Sequence, residues 1–357
     1  MPAAHHPDDR LARIGWRAVE GVEATAEAAI ARVVAQHRGG YELHDGLACF
    51  TAQPAARFLR RGLDPTLRPA VGDFVTCSRG QPPTIERVLP RRTVLRRGAA
   101  GERQQQQVIA TNIDLVLVLV GLDGDYNPAR IERYLLLVDG SGAQAIVVLT
   151  KADRAEDAAA RVAQLQERLP GTRVIAVNAK DAHSVAPLAA ELGPGRSGVL
   201  VGSSGAGKST LTNTLLGQQR QATAAVRAHD SRGRHTTTHR ALIMLPAGGC
   251  LIDTPGMREL KLSGEESLDA GQFADIEALA QACRFGDCAH GVEPGCAVQA
   301  ALADGRLDAD RWRNYRKLRD ELTATADAVE AQLRRKGEAK RLTKALDRRL
   351  REKAGSG

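Results

Sequence analysis

A phosphate-binding loop is the strongest chemical signal in the sequence. Residues 202–209 read Gly-Ser-Ser-Gly-Ala-Gly-Lys-Ser, which fits the pattern Gly-x-x-x-x-Gly-Lys-Ser/Thr. Backbone N–H groups at a helix start hold phosphate oxygens, and glycines let the chain curl closely around them. The predicted strand at residues 198–201 enters the loop, and a helix can begin at residue 209. The expected phosphate-binding residues are Gly202, Ser203, Ser204, Gly205, Ala206, Gly207, Lys208, Ser209 and Thr210.

Two side chains of this loop are expected to do chemistry. Lys208 should reach the β- and γ-phosphates as a catalytic residue, and the Ser209 hydroxyl should ligate Mg²⁺. A chance glycine-rich turn is the alternative, but the strand–loop–helix context favours a nucleotide site.

Two short segments that follow predicted strands can read a guanine base. Thr150-Lys151-Ala152-Asp153 comes after the apolar run at 146–149, and Asn178-Ala179-Lys180 comes after the strand at 174–177. The Asp153 carboxylate can accept from guanine N1–H and the 2-amino group, a donor pair that adenine lacks. The Lys151 stem would pack over the base. Residues 178–180 resemble the third base-contacting segment of GTPases, a resemblance that implies that the Ala179 N–H meets guanine O6. Taken alone, Asp153 as a helix cap is the more frequent explanation; beside a phosphate loop, the pair of segments favours guanine.

Further residues are expected around Mg²⁺ and the γ-phosphate. Asp253-Thr254-Pro255-Gly256 follows a predicted strand, so Asp253 would hold Mg²⁺ through a water and the Gly256 N–H would sense the γ-phosphate. Upstream lie His235 and three threonines at 236–238. One of these threonines can close on Mg²⁺. The sequence leaves open which of the three does so, and we include Thr237 among the predicted nucleotide-binding residues.

A cluster of soft ligands lies closer to the C-terminus. Cys283, Cys288, His290 and Cys296 offer three thiolates and one imidazole within fourteen residues, which suits a closed, structural Zn²⁺ site. Simple buried thiols are the alternative reading. Cys49, Cys77 and Cys250 lie in strand-like stretches and are predicted to pack as small apolar side chains.

The periodicity along the chain predicts the elements that must position these residues. Residues 1–30 read as a tail or short helix. Residues 31–105 carry short strands separated by Gly/Pro turns, so we predict an OB-like β-barrel, with a linker near 97–107. Residues 108–265 alternate six strands with helices, which indicates a doubly wound α/β domain around the phosphate loop. Residues 266–357 are predicted to be helical, with the zinc cluster and an apolar stripe that includes Trp312 and Tyr315 as core residues.

Composition favours a polyanionic partner. The 357 residues carry a net charge of +8, and residues 331–357 hold ten Lys/Arg against three Asp/Glu. The barrel region adds Arg57, Arg60, Arg61, Arg91, Arg92, Arg96 and Arg97, although a solvated surface charge is the simpler reading for any one of them. Aromatic residues make up 3%, which argues against extensive base stacking. We find no secretory signal and no apolar run long enough to span a membrane, so a cytoplasmic protein is expected.

The order of the motifs resembles that of the circularly permuted GTPases. Here the segments at 150–153 and 178–180 precede the phosphate loop, and 233–238 and 253–256 follow it. With the β-rich segment upstream and the Cys/His cluster downstream, the chain is similar to the members of that family that act in small-subunit ribosome biogenesis. The resemblance implies an N-terminal OB fold, a central permuted GTPase domain and a C-terminal zinc domain. It also implies GTP as substrate, GDP as product, Mg²⁺, one structural Zn²⁺, and a monomer that binds the small ribosomal subunit and its rRNA, which stimulates hydrolysis.

Two positions depart from the usual GTPase pattern. Thr150 stands where Asn is usual, and Met257 stands where many GTPases carry a water-orienting Gln. A thioether forms only weak hydrogen bonds, so we expect slow intrinsic hydrolysis and a group recruited with the partner. His235 is the catalytic candidate, although it could equally serve only to order its segment.

Two other functions compete with this interpretation. One is a constitutive RNA-binding scaffold with a vestigial nucleotide site, against which the intact Lys208, Ser209 and Asp253 count. The other is an ATPase, because the phosphate loop alone does not distinguish ATP from GTP.

Overall fold

The computed structural model describes most of the chain. The described residues are 7–20, 28–37, 39–98, 106–218, 240–254, 262, 266, 268 and 271–354; side chains are not described at 7, 8, 333, 336 and 339–354. Within these residues an α/β core carries a β-barrel on its N-terminal side and a helical region on its C-terminal side.

A five-stranded barrel forms the N-terminal region, as predicted. Its strands, in chain order, are β1 (Ala28–His37), β2 (Gly40–His44), β3 (Cys49–Pro54), β4 (Phe74–Ser78) and β5 (Thr84–Val88). The pairing runs β1–β2–β3–β5–β4 and closes through β4–β1, with β3 and β5 parallel and the other pairs antiparallel. Alternate residues such as Val33, Leu43 and Ile85 fill the interior. Strand β2 was not predicted, since its first residue, Gly40, reads as part of a turn.

The short helix α1 (Pro7–Ala12) precedes the barrel and packs on it. Leu11, Ile14 and Trp16 are buried, and the Trp16 ring meets the Phe74 ring edge-on at 4.9 Å between centroids. The short-helix alternative predicted for residues 1–30 therefore applies to this part of the N-terminal segment.

The two ends of the predicted linker near 97–107 belong to paired strands. Strands β6 (Val94–Gly98) and β7 (Gln106–Thr111) pair antiparallel. The prediction was wrong there because the Gly- and Gln-rich composition hides a pairing in which Leu95, Val108 and Ile109 are buried.

Among the described residues, the central sheet contains six strands, as the alternating pattern predicts. They are β8 (Leu115–Gly121), β9 (Gln144–Thr150), β10 (Arg173–Ala176), β11 (Ser197–Gly202), β12 (Ala241–Met244) and β13 (Cys250–Asp253). Their spatial order is β10–β9–β8–β11–β13–β12, parallel except for β12. β12 is antiparallel because residues 245–249 are too few for a crossover helix. It also pairs with β1 at Ala35 and Ala241, so the barrel and the central sheet are continuous.

Helices cover both faces of this sheet. They are α2 (Pro128–Asp139), α3 (Ala158–Arg168), α4 (Ala182–Glu191) and α5 (Lys208–Leu216). The residues of β8 alternate between two apolar clusters, with Val116 and Val118 in one and Leu115 and Leu117 in the other. Burial on both faces explains the uninterrupted apolar run of this strand.

The C-terminal region consists of α6 (Ala274–Gln281), α7 (Ala297–Ala303) and the long α8 (Ala309–Ala354). Trp312 and Tyr315 at the start of α8 are buried and belong to the apolar cluster of α2 and α3, which confirms their prediction as core residues. No helix among the described residues combines the length and apolarity needed to cross a bilayer.

Candidate nucleotide site and metal centre

The phosphate loop lies between β11 and α5, as its sequence context predicts. Gly202, Gly205 and Gly207 have φ angles of 144°, 83° and 89°, which favour glycine. A Cβ at Gly202 would lie 2.3 Å from the Leu119 carbonyl oxygen, so this position also needs glycine for space. Lys208 Nζ donates to the carbonyl oxygens of Gly202 (2.8 Å) and Ser203 (2.5 Å), which places its ammonium inside the curl of the loop.

Thr150 connects the first guanine segment to the phosphate loop. This residue ends β9, is fully buried, and donates from Oγ1 to the Ala206 carbonyl oxygen at 2.8 Å. Its hydroxyl therefore positions the phosphate loop, a task for which one donor suffices.

The rest of the first guanine segment forms the edge of the site. Lys151 has a left-handed backbone with φ of 62°, and Asp153 follows in a short 3₁₀ helix over Ala152–Arg154. The Asp153 side chain is 39% exposed, so its carboxylate can meet a ligand. Because β9 and β10 are parallel neighbours, their carboxyl ends meet here, and the Ala152 N–H donates to the Val177 carbonyl at 3.3 Å.

Several hydrogen bonds hold the second guanine segment in place. The Asn178 N–H donates to Ser184 Oγ at 2.9 Å, and Asn178 Oδ1 accepts from the Lys180 N–H at 3.1 Å. Thr214 Oγ1, on the helix after the phosphate loop, donates to the Ala179 carbonyl at 2.6 Å. The structure thus brings both predicted guanine segments to the phosphate loop.

The predicted Mg²⁺ and γ-phosphate residues are described only in part. Asp253 is nearly buried at the end of β13, and Thr254 Oγ1 donates to the Leu200 carbonyl at 2.9 Å, which holds this strand end against β11. His235, Thr237, Gly256 and Met257 lie outside the described residues.

Two carboxylates at this site were not predicted. Asp123 and Asp125 lie in the loop from β8 to α2; Asp123 accepts from Lys151 Nζ, and Asp125 accepts from the Ser203 hydroxyl. Burial raises the pKa of Asp123, but the hydrogen bond from Lys151 and that from the Asp125 N–H more than offset this, so its pKa is lowered. The available signal was their position directly after an apolar parallel strand, where ligands bind in such folds.

The Cys/His cluster assembles as predicted. The ligand atoms of Cys283, Cys288, His290 and Cys296 all lie within 4.8 Å of one another. The Sγ atoms of Cys283 and Cys296 are 3.8 Å apart, close to the edge of a tetrahedron with bonds of about 2.3 Å to zinc. His290 Nδ1 lies 3.4 Å and 3.6 Å from these two sulfurs.

The thiols of the cluster are close enough to affect one another. A backbone hydrogen bond from His290 lowers the pKa of Cys288, but desolvation and the hydrogen bonds with Cys296 and Cys283 raise it to about 11. Gln299 supports the cluster by donating from its N–H to Cys296 Sγ (3.4 Å) and from Nε2 to the His290 carbonyl (2.6 Å). Such supporting bonds orient metal ligands, and this donor set fits a structural Zn²⁺.

The other three cysteines differ in burial. Cys77 and Cys250 are buried, which agrees with their predicted packing role, whereas Cys49 is exposed. The prediction for Cys49 was wrong because this residue, at the first position of β3, points away from the barrel interior.

The basic residues of the barrel differ in whether they form ion pairs or are exposed to solvent. Arg91 is bound by Asp73, at 2.8 Å to Oδ1 and 2.7 Å to Oδ2, so it is structural. Arg60 and Arg61 are exposed. Tyr41, Phe58 and Phe74 of the barrel are buried.

Comparison with known proteins gives a consistent assignment. A family model described as RsgA GTPase matches residues 88–263. A second model, ABC transporter, matches residues 185–345, a span that contains the phosphate loop used by both kinds of nucleotide-binding protein.

Two similar proteins align with nearly the whole chain. "Small ribosomal subunit biogenesis GTPase RsgA" of Xanthomonas axonopodis pv. citri (strain 306) is 56% identical over 332 residues, 91% of this chain and 90% of the relative. The protein of the same name from Xanthomonas euvesicatoria pv. vesicatoria (strain 85-10) is 55% identical with the same coverage.

Two solved structures share the fold. YjeQ from Thermotoga maritima superposes with a TM-score of 0.61 at 24% identity, covering 83% of this chain and 99% of that one. YloQ, a circularly permuted GTPase, gives a TM-score of 0.58 at 22% identity, with coverage of 87% and 98%. The motif order, the assembled site and the identity to these relatives agree, and the chain therefore belongs to the RsgA GTPase family.

Proposed function

We propose that this GTP hydrolase acts as a late assembly factor of the small ribosomal subunit and that the subunit stimulates its turnover. The observation that carries the choice of GTP is the bond from Thr150 to the Ala206 carbonyl, because it joins the proposed guanine-reading segment to the phosphate loop. The relatives that are 54–56% identical carry the name of a small-subunit biogenesis GTPase, and this supports the same partner here.

In this proposal each end of GTP has its own set of residues. Asp153 accepts from the guanine N1–H and 2-amino group, and the Ala179 N–H donates to guanine O6. The loop 202–209 wraps the phosphates, and Lys208 neutralises charge that develops between the β- and γ-phosphates during attack by water. Mg²⁺, when bound, would neutralise further phosphate charge, with Ser209 and Asp253 as the residues that hold it, Asp253 through a water.

The hydrolytic water needs an orienting group. Met257 offers only a weak acceptor, so His235 is proposed to orient the water when the subunit binds, with Thr237 and Gly256 responding to the γ-phosphate. His235→Ala should then abolish the subunit-stimulated part of turnover while GTP affinity stays normal. Stimulated turnover that survives this substitution would reject the role of His235.

The flanking regions are proposed to grip rRNA. The domain limits proposed are 31–105 for the barrel, 108–265 for the GTPase domain and 266–357 for the zinc-binding and helical domain. Exposed arginines such as Arg60 and Arg61, and the basic end of α8, supply phosphate contacts, so binding should weaken steeply with salt. We propose a monomer in the cytoplasm, where ribosomal subunits are assembled.

Asp153→Asn tests the proposed base reader. The asparagine amide cannot accept from the guanine donors as the carboxylate does, so GTP affinity should fall roughly 100-fold or more. Affinity for xanthosine triphosphate, whose 2-carbonyl accepts from the new amide, should rise. Asp157→Asn, an exposed aspartate paired with Arg161 four residues on, is the matched control.

GTP turnover with and without purified small subunits tests the partner. We expect stimulated turnover, and co-sedimentation that differs between GDP and a non-hydrolysable GTP analogue. Turnover unchanged by subunits would overturn the proposed function, and tighter binding of ATP than of GTP would make the chain an ATPase.

A further inference from the structure

The loop between β8 and α2 contacts both halves of the nucleotide site. Asp123 accepts from Lys151 Nζ in the guanine segment, and Asp125 accepts from Ser203 Oγ in the phosphate loop. The motifs assign a task to Lys151 and to the loop backbone at Ser203, but they assign none to these two aspartates.

The backbone of this loop is held by its own hydrogen bonds. The Asp125 N–H donates to Asp123 Oδ1 at 3.2 Å, and the Tyr126 N–H donates to the Asp123 carbonyl at 3.0 Å. Asn127 caps α2 by accepting from the Arg130 N–H at 3.0 Å. The two carboxylates therefore sit on one rigid turn at the start of a helix.

Asp125 is held from two sides. Its Oδ2 receives the Ser203 hydroxyl, while its Oδ1 receives Arg130 Nη1 from the first turn of α2. The side chain is 21% exposed, so both oxygens work in a partly desolvated setting, where bonds to a carboxylate are strong. Ser203 is the second residue of the phosphate loop, and fixing its side chain fixes the loop at the point where Lys208 Nζ also binds, the Ser203 carbonyl.

Asp123 acts on the other half of the site. Lys151 leaves the end of β9 through a left-handed residue, and its ammonium is anchored on Asp123. The stem of Lys151 is thereby held in one direction beside the exposed Asp153. An ion pair with side chains 21% and 42% exposed adds little stability, so its main effect is on the orientation of the lysine.

We propose that the β8–α2 loop is a two-point clamp, in which Asp123 positions Lys151 for the guanine and Asp125 positions Ser203 for the phosphates. This rests on the proposed GTP site. Both aspartates are positioning residues, because they act through Lys151 and through the phosphate loop.

The clamp predicts separate kinetic signatures for its two points. The guanine is the same in GTP and GDP, so Asp123→Ala should raise the KM for GTP and the Kd for GDP by the same factor, about three- to tenfold, with kcat unchanged. Asp125→Ala frees the phosphate loop that must stay ordered during γ-phosphate transfer, so kcat should fall about three- to tenfold.

A double-mutant cycle tests the Asp125 contact. Ser203→Ala should lower kcat as Asp125→Ala does, and should add nothing in the Asp125→Ala background. Ser203→Thr, which keeps the hydroxyl, should lower kcat less than Ser203→Ala does. Asp157→Ala is the control for loss of an exposed carboxylate, and melting temperatures verify folding; where Asp125→Ala fails to fold, Asp125→Asn replaces it.

The outcomes separate the clamp from the proposed function. Suppose that the wild-type chain prefers GTP, but Asp123→Ala and Asp125→Ala alter the same kinetic parameter, or neither variant alters KM or kcat. That result would overturn the clamp and leave the proposed function intact. Additive effects of Ser203→Ala and Asp125→Ala would also overturn the clamp. GDP dissociation, followed with a fluorescent analogue, gives a readout that does not depend on hydrolysis.

Discussion

Two buried arginines connect the central sheet to its flanking regions, one on the barrel side and one on the C-terminal side. The guanidinium of Arg32, on β1, lies over the Phe74 ring at 5.0 Å, and that of Arg311, on α8, lies over the Phe273 ring at 5.1 Å. Arg32 is fully buried, and Arg311 is 4% exposed. Each of the two junctions therefore contains a cation–π contact in an apolar setting.

Their hydrogen-bond acceptors differ. Arg32 donates to neutral acceptors from four parts of the chain: the carbonyls of Ile14, Gly72 and Asn112, and Ser197 Oγ. Arg311 donates to the carboxylates of Glu132 (2.6 Å) and Asp275 (2.8 Å) as well as to the Gln272 carbonyl. Glu132 is itself fully buried and also accepts from Arg168 and Asn314.

The pKa directions follow from this difference. Burial lowers the pKa of Arg32, and no carboxylate among its hydrogen-bond partners offsets this effect. Burial also lowers the pKa of Arg311, but Asp275 and Glu132 more than offset it and raise the pKa above its usual value. Three of the four acceptors of Arg32 at the barrel junction are thus backbone carbonyls that substitution cannot remove, whereas the C-terminal junction depends on carboxylates that can be changed singly.

Each junction has its own tryptophan, and the chain has two in all. Trp16 packs on Phe74 beside Arg32, while Trp312 stacks on Tyr315 at 5.4 Å and meets the His290 ring edge-on at 5.7 Å. Trp16→Phe and Trp312→Phe therefore leave one fluorescent reporter for each junction.

Metal removal should have the largest effect and should be confined to the C-terminal junction. Structural zinc can contribute on the order of 10 kcal/mol to a small site, and His290 contacts Trp312 next to Arg311. A chelator should shift Trp312 emission to the red in Trp16→Phe and leave Trp16 emission unchanged in Trp312→Phe. Equal responses of both reporters would show that the two junctions are not independent.

Arg32→Met should cause the next largest loss. It removes one donor from each of four buried acceptors, one of which, the Gly72 carbonyl, keeps a second donor in Asn112 Nδ2 at 3.1 Å. The loss should lower the free energy of unfolding by about 4 kcal/mol. Denaturation followed by Trp16 emission measures this, and Arg17→Met, which removes a mostly exposed arginine paired with Asp114, is the control. A loss no greater than that of the control would contradict the assigned role of Arg32.

Glu132→Gln should destabilise the C-terminal junction by about 3 kcal/mol, because Arg168 and Arg311 lose a buried counter-charge. Adding Arg311→Met should recover part of that loss, since the unpaired cation is removed. Trp312 emission during denaturation reports both variants. Glu321→Gln, at the partly exposed pair with Arg133, is the matched control, and strictly additive losses would exclude the coupling.

Asp139→Asn should have the smallest effect, and one that depends on pH. Burial raises the pKa of Asp139, at the end of α2, although a hydrogen bond from the Gln272 N–H lowers it. A raised folded-state pKa means that the charged form weakens folding at neutral pH and that this penalty disappears as the pH falls through the raised value. Asp139→Asn should therefore raise the melting temperature at pH 7 by roughly 1–3 °C, with the difference vanishing near pH 4. A difference independent of pH would contradict this.

The sequence predicted those parts of the site that are contiguous in the chain. The phosphate loop, the two guanine segments and the Cys/His cluster each depend on local backbone geometry and on fixed spacing, so each could be read from a few neighbouring residues. The strands of the central sheet were found because burial on both faces leaves uninterrupted apolar runs. Strand β2 and the β6–β7 hairpin were missed because glycine and glutamine mask their pairing.

The tertiary structure decided what depends on distant neighbours. Thr150 became a support of the phosphate loop because β9 and β11 are both neighbours of β8, which brings Ala206 within reach of its hydroxyl. Asp125 meets Ser203 although 78 residues separate them, and Arg311 meets Glu132 across 179 residues. Residue type and spacing determine local chemistry, whereas partners so far apart in sequence are set by the order of the strands and the packing of the helices.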